Sequence, residues 1–267
     1  PGLTELSAAD QLEAFRRADP HYRQPSFDPI LAAGDHSAVI HYSPTPASDR
    51  PIPAQGFLLA DTGGHYDTGT TDRTRTYALG ELTHQQKACT SGQAELARSA
   101  VLQGNLALAD AVFPAGCPGS VLDYAARQPL WARGLDFNHG TGHGVGYLLS
   151  VHEGPQSIRW RAAGGRETPL APGMVTSNEP GVYFDGAYGI RLENLLLCVE
   201  KAFPTGDFLG FETLTLTPFD VDAILPEQLS PREKALLNAY HAQVYQAIAP
   251  HLLPQEAAWL ETATRPL

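Results

Sequence analysis

Between His139 and Gly146 the chain reads HGTGHGVG, four glycines in eight residues. A helix there would forfeit too much backbone entropy, so the run predicts a loop or extended segment that another backbone or a ligand can approach closely. Strand-like runs recur after it, at Tyr147–His152, Met174–Thr176, Val182–Phe184, Ile190–Val199 and Phe211–Leu216. Two more precede it: His36–Tyr42, between Gly34 and Pro44, and Gly56–Ala60, which ends at Asp61. Helical spacing marks Thr4–Arg17 and Ser120–Arg133. A capping box of Thr83 and Gln86 opens a helix expected to run to about Ala111, where Pro114 and Gly116 stop it. A second box, Ser230-Pro231-Arg232-Glu233, opens the C-terminal helices. Strands in runs with helices outside them predict an α+β fold.

Composition bounds the partners. The 267 residues carry 18 Lys+Arg against 29 Asp+Glu, a net charge of −11, which argues against nucleic acid because a phosphate backbone repels an acidic face. Cysteines number 3, at 89, 117 and 198, too far apart for a zinc knuckle and odd for a disulfide framework. A reducing cytoplasm is the expected compartment. No apolar run reaches the roughly 18 residues that span a bilayer, and no signal-peptide pattern opens the chain, so no membrane partner is expected. The sequence begins on Pro1 and not Met, so more protein is expected upstream.

Five residues that could carry chemistry sit at element ends beside glycine or proline: Asp61, Asp72, His143, Glu179 and Glu193. Asp72 follows Asp61 by eleven positions through the turn-rich TGGHYDTGTT, a spacing that suits a hairpin with one carboxylate on each arm. Glu179 in NEPG and Glu193 in GIRLEN lie fourteen apart and predict a second such hairpin. Singly, each acid reads best as a surface charge of an acidic chain. Four converging carboxylates, however, repel one another unless protonated or neutralised by cations, and two divalent ions do this best. Oxygen-rich ligation with one imidazole favours Mn²⁺, with Co²⁺, Fe²⁺ or Zn²⁺ as substitutes. His139 and His143 form an H-x-x-x-H, but the glycines between them exclude the helical zinc-protease motif. His41 and His152 also fall at the ends of expected strands. Neither a dinucleotide fingerprint nor a nucleophile elbow is present.

The motifs DTGGHYDTGTTDRTRT, HGTGHGVG, VHEGP, NEPG and GIRLEN resemble those of the pita-bread metallopeptidase family, which includes methionine aminopeptidase, prolidase, aminopeptidase P and the metal-free creatinase. The similarity spans the chain. FLGFETLTLTPFD, LNAYHAQVY and the ending WLETATRPL resemble the C-terminal extension of the three-domain, eukaryotic-type Xaa-Pro aminopeptidases, and His41 points to the same branch. The resemblance implies a curved antiparallel sheet core with helices outside, divided into a catalytic domain over 1–205 and an extension over 206–267 packed on it. It implies two ions, with Asp61 on one, Asp72 and Glu193 between them, and His143 and Glu179 on the other. His41, His139, His152 and Arg191 would line the substrate site.

The implied reaction is hydrolysis of the bond between an N-terminal residue and proline by a hydroxide held between the ions. Glu179 would shuttle the proton, and His139 or His152 would stabilise the oxyanion. The alternatives are a prolidase and a metal-free binding module on the same fold. One departure is Asn178, where many relatives carry an acid. Another is that relatives of this type have two upstream domains, so this stretch by itself is expected to bind metal but cleave poorly. The stripe Leu236, Leu237, Tyr240, Val244, Tyr245 and Ile248 is expected to pack in part on the chain itself and in part across a symmetric homodimer.

Overall fold

The computed structural model describes residues 2–80, 89–161 and 167–267. The Thr83–Gln86 capping box lies outside the described residues. Helix α1 (Glu5–Arg17) starts where Thr4 accepts the Ser7 amide and Ser7 caps back. Strand β1 (Tyr22–Pro25) follows, then β2 (Ile30–Ala33), buried at every residue.

The strand expected at His36–Tyr42 does not form. Gly34 turns the chain at φ 58°, Gly34–Ala38 make a 3₁₀ turn, and the amides of Val39 and Tyr42 close onto His36 and Val39 carbonyls. Backbone groups satisfied locally have no need of a sheet. The continuous apolar run ILAA just upstream takes the sheet position instead.

Strand β3 (Gly56–Thr62) pairs with β2 on one edge and β6 (Arg73–Leu79) on the other, all antiparallel. Between them β4 (Gly64–Tyr66) and β5 (Gly69–Thr70) peel off to join β1. Helix α2 (Cys89–Ala109), β7 (Phe113–Pro114) and helix α3 (Gly119–Trp131) lead to the glycine-rich block, where β8 (Gly142–Val145) forms. A Cβ on Gly142 would lie 2.0 Å from the Ser177 carbonyl oxygen, and one on Gly144 2.0 Å from that of Glu153. Only glycine lets both neighbouring strands approach so closely.

The strand expected at Tyr147–His152 is a loop with Leu148 at φ 63°, and β9 (His152–Ile158) begins where that run ends. Then come β10 (Val175–Asn178), the hairpin β11 (Gly181–Phe184) and β12 (Tyr188–Arg191), β13 (Asn194–Phe203) and β14 (Gly206–Thr213). The single strand expected over Ile190–Val199 is broken at Leu192–Glu193 because its halves have different partners, β11 before the break and β10 with β14 after it. The β13–β14 register starts at Phe203 opposite Gly206, which moves the strand expected at Phe211–Leu216 upstream.

The larger sheet runs β7-β14-β13-β10-β8-β9, antiparallel throughout. Helix α2 feeds both main cores, Val101, Leu102 and Leu106 into one and Leu108 into the other. Helix α4 (Pro231–Ile248), opened by the Ser230–Glu233 capping box, buries Leu237, Tyr240 and Val244 in the first core, and Leu236, Tyr245 and Ile248 pack on its edge. The expected apolar stripe therefore packs on the chain itself. Helix α5 (Pro254–Ala263) adds Leu260. The boundary expected at 205/206 falls in the turn of the β13–β14 hairpin. Among the described residues no helix is long and apolar enough to cross a membrane.

Candidate metal centre

Both expected hairpins exist. Asp61 lies in β3 opposite Thr74, and Asp72 immediately precedes β6, so the two carboxylates start from neighbouring strands. Glu179 follows β10 and Glu193 precedes β13, with β11–β12 between them. Backbone and hydroxyl bonds join the hairpins. The Glu193 amide donates to the Thr74 carbonyl at 3.0 Å, and the Thr74 hydroxyl donates to Glu193 Oε2 at 2.7 Å. The Glu179 amide donates to Thr141 O at 2.8 Å, beside the glycine-rich strand.

His143 on β8 completes the group. Its Nδ1 lies 2.9 Å from the Gly144 carbonyl, which can only accept, so the proton sits there. Nε2 then turns a lone pair toward Asp72 Oδ2 at 3.5 Å and Glu179 Oε1 at 3.6 Å. A lone pair facing two carboxylates calls for a proton or a cation between them. One ligand atom each from Asp72, His143 and Glu193 lie within 4.8 Å of one another. Asp61 Oδ2 accepts from Arg191 Nη2 at 2.7 Å, while its buried Oδ1 has no hydrogen-bond partner. Burial and then the charge of Asp61 push the Asp72 carboxyl well above its usual range; burial and then Asp72 do the same to Glu193. Burial, with the Glu193 charge next, pushes Glu179 up to about 8. An orphaned carboxylate oxygen, an imidazole lone pair and carboxylates held against ionisation all fit divalent cations at this place.

A cavity of about 480 Å³ is lined by all five of these residues and also by His41, His139, His152 and Arg191. Every site residue expected from the sequence thus lines one cavity. His41 arrives on the turn after the 3₁₀ segment and not on a strand. His139 Nδ1 donates to Gly140 O at 2.7 Å and Nε2 accepts from the Tyr183 hydroxyl at 2.8 Å. Burial, then the Arg191 charge, lowers its pKa to about 3, so the ring is neutral. His152 opens β9 with an exposed ring set edge-on to His143, centroids 4.1 Å apart. Arg191, fully buried, donates to Asp61, to Tyr183 at 2.7 Å and to Thr74 at 3.2 Å.

Sequence reasoning missed the residues that hold these groups. Tyr183 reads only as a strand residue. Asn105 on α2 donates to the carbonyls of Asn178 at 2.9 Å and Leu192 at 3.1 Å, one residue before each glutamate, and Asn178 donates back to Asn105 O. Glu5, wholly buried, accepts from the Ala33 amide and the Tyr42 hydroxyl and contacts His36, fixing both sides of the His41 turn. No local pattern announces any of these.

An antiparallel fold that brings two carboxylate hairpins and one imidazole to a common cavity defines a protein of the pita-bread type with a candidate metal centre. The chain belongs to metallopeptidase family M24, which matches residues 1–200; the C-terminal region of peptidase M24 matches residues 207–267. It is 45% identical over 270 residues to aminopeptidase P2 of Arabidopsis thaliana, covering 99% of this chain and 37% of that protein. It is also 45% identical over 271 residues to a probable Xaa-Pro aminopeptidase P of Sclerotinia sclerotiorum, covering 99% and 44%. The X-prolyl aminopeptidase of Caenorhabditis elegans, a cytosolic enzyme with a di-nuclear active site, superposes with TM-score 0.91 at 39% identity, over 100% of this chain and 43% of that one. The prolidase of Pyrococcus furiosus gives TM-score 0.64 at 29% identity, over 80% and 56%. The chain thus spans about two-fifths of the length of the aminopeptidases it matches.

Proposed function

We propose that the chain is the catalytic part of an Xaa-Pro aminopeptidase, which hydrolyses the bond between an N-terminal residue and a following proline. The observation that carries this is the approach of Asp72, His143 and Glu193 to within 4.8 Å, with the unpartnered Asp61 Oδ1 and with Glu179 on the same cavity. Likeness to an X-prolyl aminopeptidase over the whole chain supports this substrate class over that of a prolidase, which the chain matches less fully.

In this reading Asp61, Asp72, His143, Glu179 and Glu193 would together hold two ions, with Asp72 and Glu193 shared by both. Mn²⁺ suits so oxygen-rich a set with one imidazole. Two ions there supply charge that lowers the pKa of a water toward neutrality. Glu179, left ionised once ligation has displaced its proton, would take one from the attacking water and pass it to the departing proline nitrogen. His152, exposed in the cavity, donates to the carbonyl oxygen. His139 has both nitrogens engaged and serves as a neutral wall of the substrate site. His41 closes the rim, and Arg191 acts by holding Asp61 and Tyr183.

We also propose a catalytic unit over 1–205 with 206–267 as an extension packed on it, joined through the buried Arg75, which donates to Glu193 O and Thr217 O. A homodimer is supported by the exposed aromatic cluster Tyr124, Trp131 and Trp160, with centroids 5.9 and 5.8 Å apart. A cytoplasmic location agrees with the free Cys117 and Cys198.

The deciding experiment loads the full-length protein with Mn²⁺, counts the metal, and assays Xaa-Pro tripeptides and Xaa-Pro dipeptides with the parent and with Glu179→Gln. Near two equivalents, tripeptide cleavage, and loss of turnover in the variant are expected. Cleavage of dipeptides alone would move the assignment to a prolidase, and absence of metal uptake would remove the hydrolase reading.

A further inference from the structure

A second cavity, of about 750 Å³, shares only Asp72 with the metal centre. Arg16, in the last turn of α1, and Arg73, first residue of β6, both line it and both are partly buried. The chain carries an excess of acids, and its other buried arginines find acceptors; Arg127 pairs with Asp123 and Arg191 with Asp61. These two form no ion pair among the described residues. Among the described residues Arg16 reaches the Tyr66 hydroxyl, with the charge of Glu13 as a weaker influence, and Arg73 Nη1 is buried without any hydrogen-bond partner.

A buried cationic donor left unpaired is costly, and a second guanidinium beside it adds repulsion. Burial and the charge of Arg73 hold the Arg16 pKa below its ordinary value. The two carboxylates on the wall are engaged elsewhere: Asp19 accepts from the His21 amide and Asp72 faces His143. Leu12, Phe15 and Leu214 supply apolar surface around the two cations.

We propose that this cavity is an anion-binding site that takes an organic oxyanion, a carboxylate or phosphate monoester on an apolar body, between Arg16 and Arg73. The oxyanion accepts from both guanidinium groups in the fork geometry that arginine favours, and its apolar body lies on the leucines and Phe15. The site is independent of the peptidase reading, since it uses neither the metals nor the histidines.

The test uses the full-length protein, stripped of metal so that the metal centre cannot take the anion, at ionic strength fixed with NaCl. Phenyl phosphate, benzoate and inorganic phosphate are titrated by calorimetry and by thermal melting. Saturable binding at one site per chain is expected, with phenyl phosphate tighter than inorganic phosphate because of the apolar wall. A melting-temperature rise of about 1–3 °C should appear at ten times Kd. Arg73→Leu and Arg16→Leu should each weaken binding by roughly tenfold or more. Without ligand, Arg73→Leu should melt no lower than the parent, because it removes a guanidinium whose buried Nη1 has no hydrogen-bond partner. Comparing benzoate with phenyl phosphate identifies the preferred headgroup. The proposal is overturned by absence of saturable binding, by binding that survives both arginine variants, or by a drop in melting temperature of ligand-free Arg73→Leu, which would mean the guanidinium is satisfied within the protein.

Discussion

The hydroxyl of Tyr183 lies 2.8 Å from Nε2 of His139 and fixes which nitrogen of that ring is an acceptor. The Gly140 carbonyl takes the Nδ1 proton, so the Tyr183 hydroxyl must donate to Nε2, and its oxygen is left to accept from Arg191 Nη1 at 2.7 Å. A line of hydrogen bonds thus runs from Asp61 through Arg191 and Tyr183 to His139. Tyr183→Phe breaks it without emptying the metal centre. Turnover should fall about 10–100-fold while metal content stays at the parental level. Paired metal analysis and steady-state kinetics check this, and parental turnover would remove Tyr183 from the working site.

Asn105 ties the two segments that carry Glu179 and Glu193 through their preceding carbonyls. Asn105→Ala leaves both carbonyls buried without their donor, at a cost of about 1–3 kcal/mol each. Denaturant unfolding should show the loss, and calorimetric Mn²⁺ titration should show affinity lowered about 10–100-fold. A variant that loses stability but keeps metal affinity would make Asn105 a structural residue only.

Metal loading should release protons. In the metal-free protein the Glu179 carboxyl titrates near 8, and Asp72 and Glu193 are also raised, so at pH 7 protons occupy the site that ligation must displace. Affinity should therefore rise with pH up to about 8. Because the folded pKa of Glu179 lies above its unfolded value, the metal-free protein binds more protons than the unfolded chain and loses stability as pH climbs from about 4.5 to about 8. Titrations in buffers of different ionisation enthalpy should give release of ~1 proton or more per chain at pH 7. Heats independent of the buffer would contradict the charge state of the site.

His241, buried on α4, accepts the Phe219 amide at Nε2, 3.1 Å away. Burial, then the Arg75 charge, lowers its pKa from 6.5 to about 4. The unfolded chain therefore gains a proton near 6.5 that the folded chain refuses until about 4, and stability present above 6.5 drains away between those values. The loss from this group is at most about 3.5 kcal/mol. His241→Asn should flatten that part of the pH–stability curve measured by denaturant unfolding of metal-free protein. An unchanged slope would assign the acid sensitivity to other groups.

The helices with capping boxes at Thr4 and Ser230 begin where the sequence places them, because a cap and a 3.6-residue period are local properties. So are the two carboxylate hairpins. Eleven and fourteen residues are short enough that turn chemistry alone brings Asp61 near Asp72 and Glu179 near Glu193. The sequence therefore determined the antiparallel α+β architecture and the ligand candidates. Tertiary structure decided the rest, since a side chain's hydrogen-bonding capacity does not reveal what it will meet across the fold. The Arg191–Asp61 bond spans 130 positions, the Thr74–Glu193 bond 119, and the Asn105 clamp 73 and 87. Strand β2 and the turn at His41 went unread for the same reason: whether a four-residue apolar run joins a sheet depends on which backbone offers it a free edge. That edge, on β3, exists only once the chain has folded.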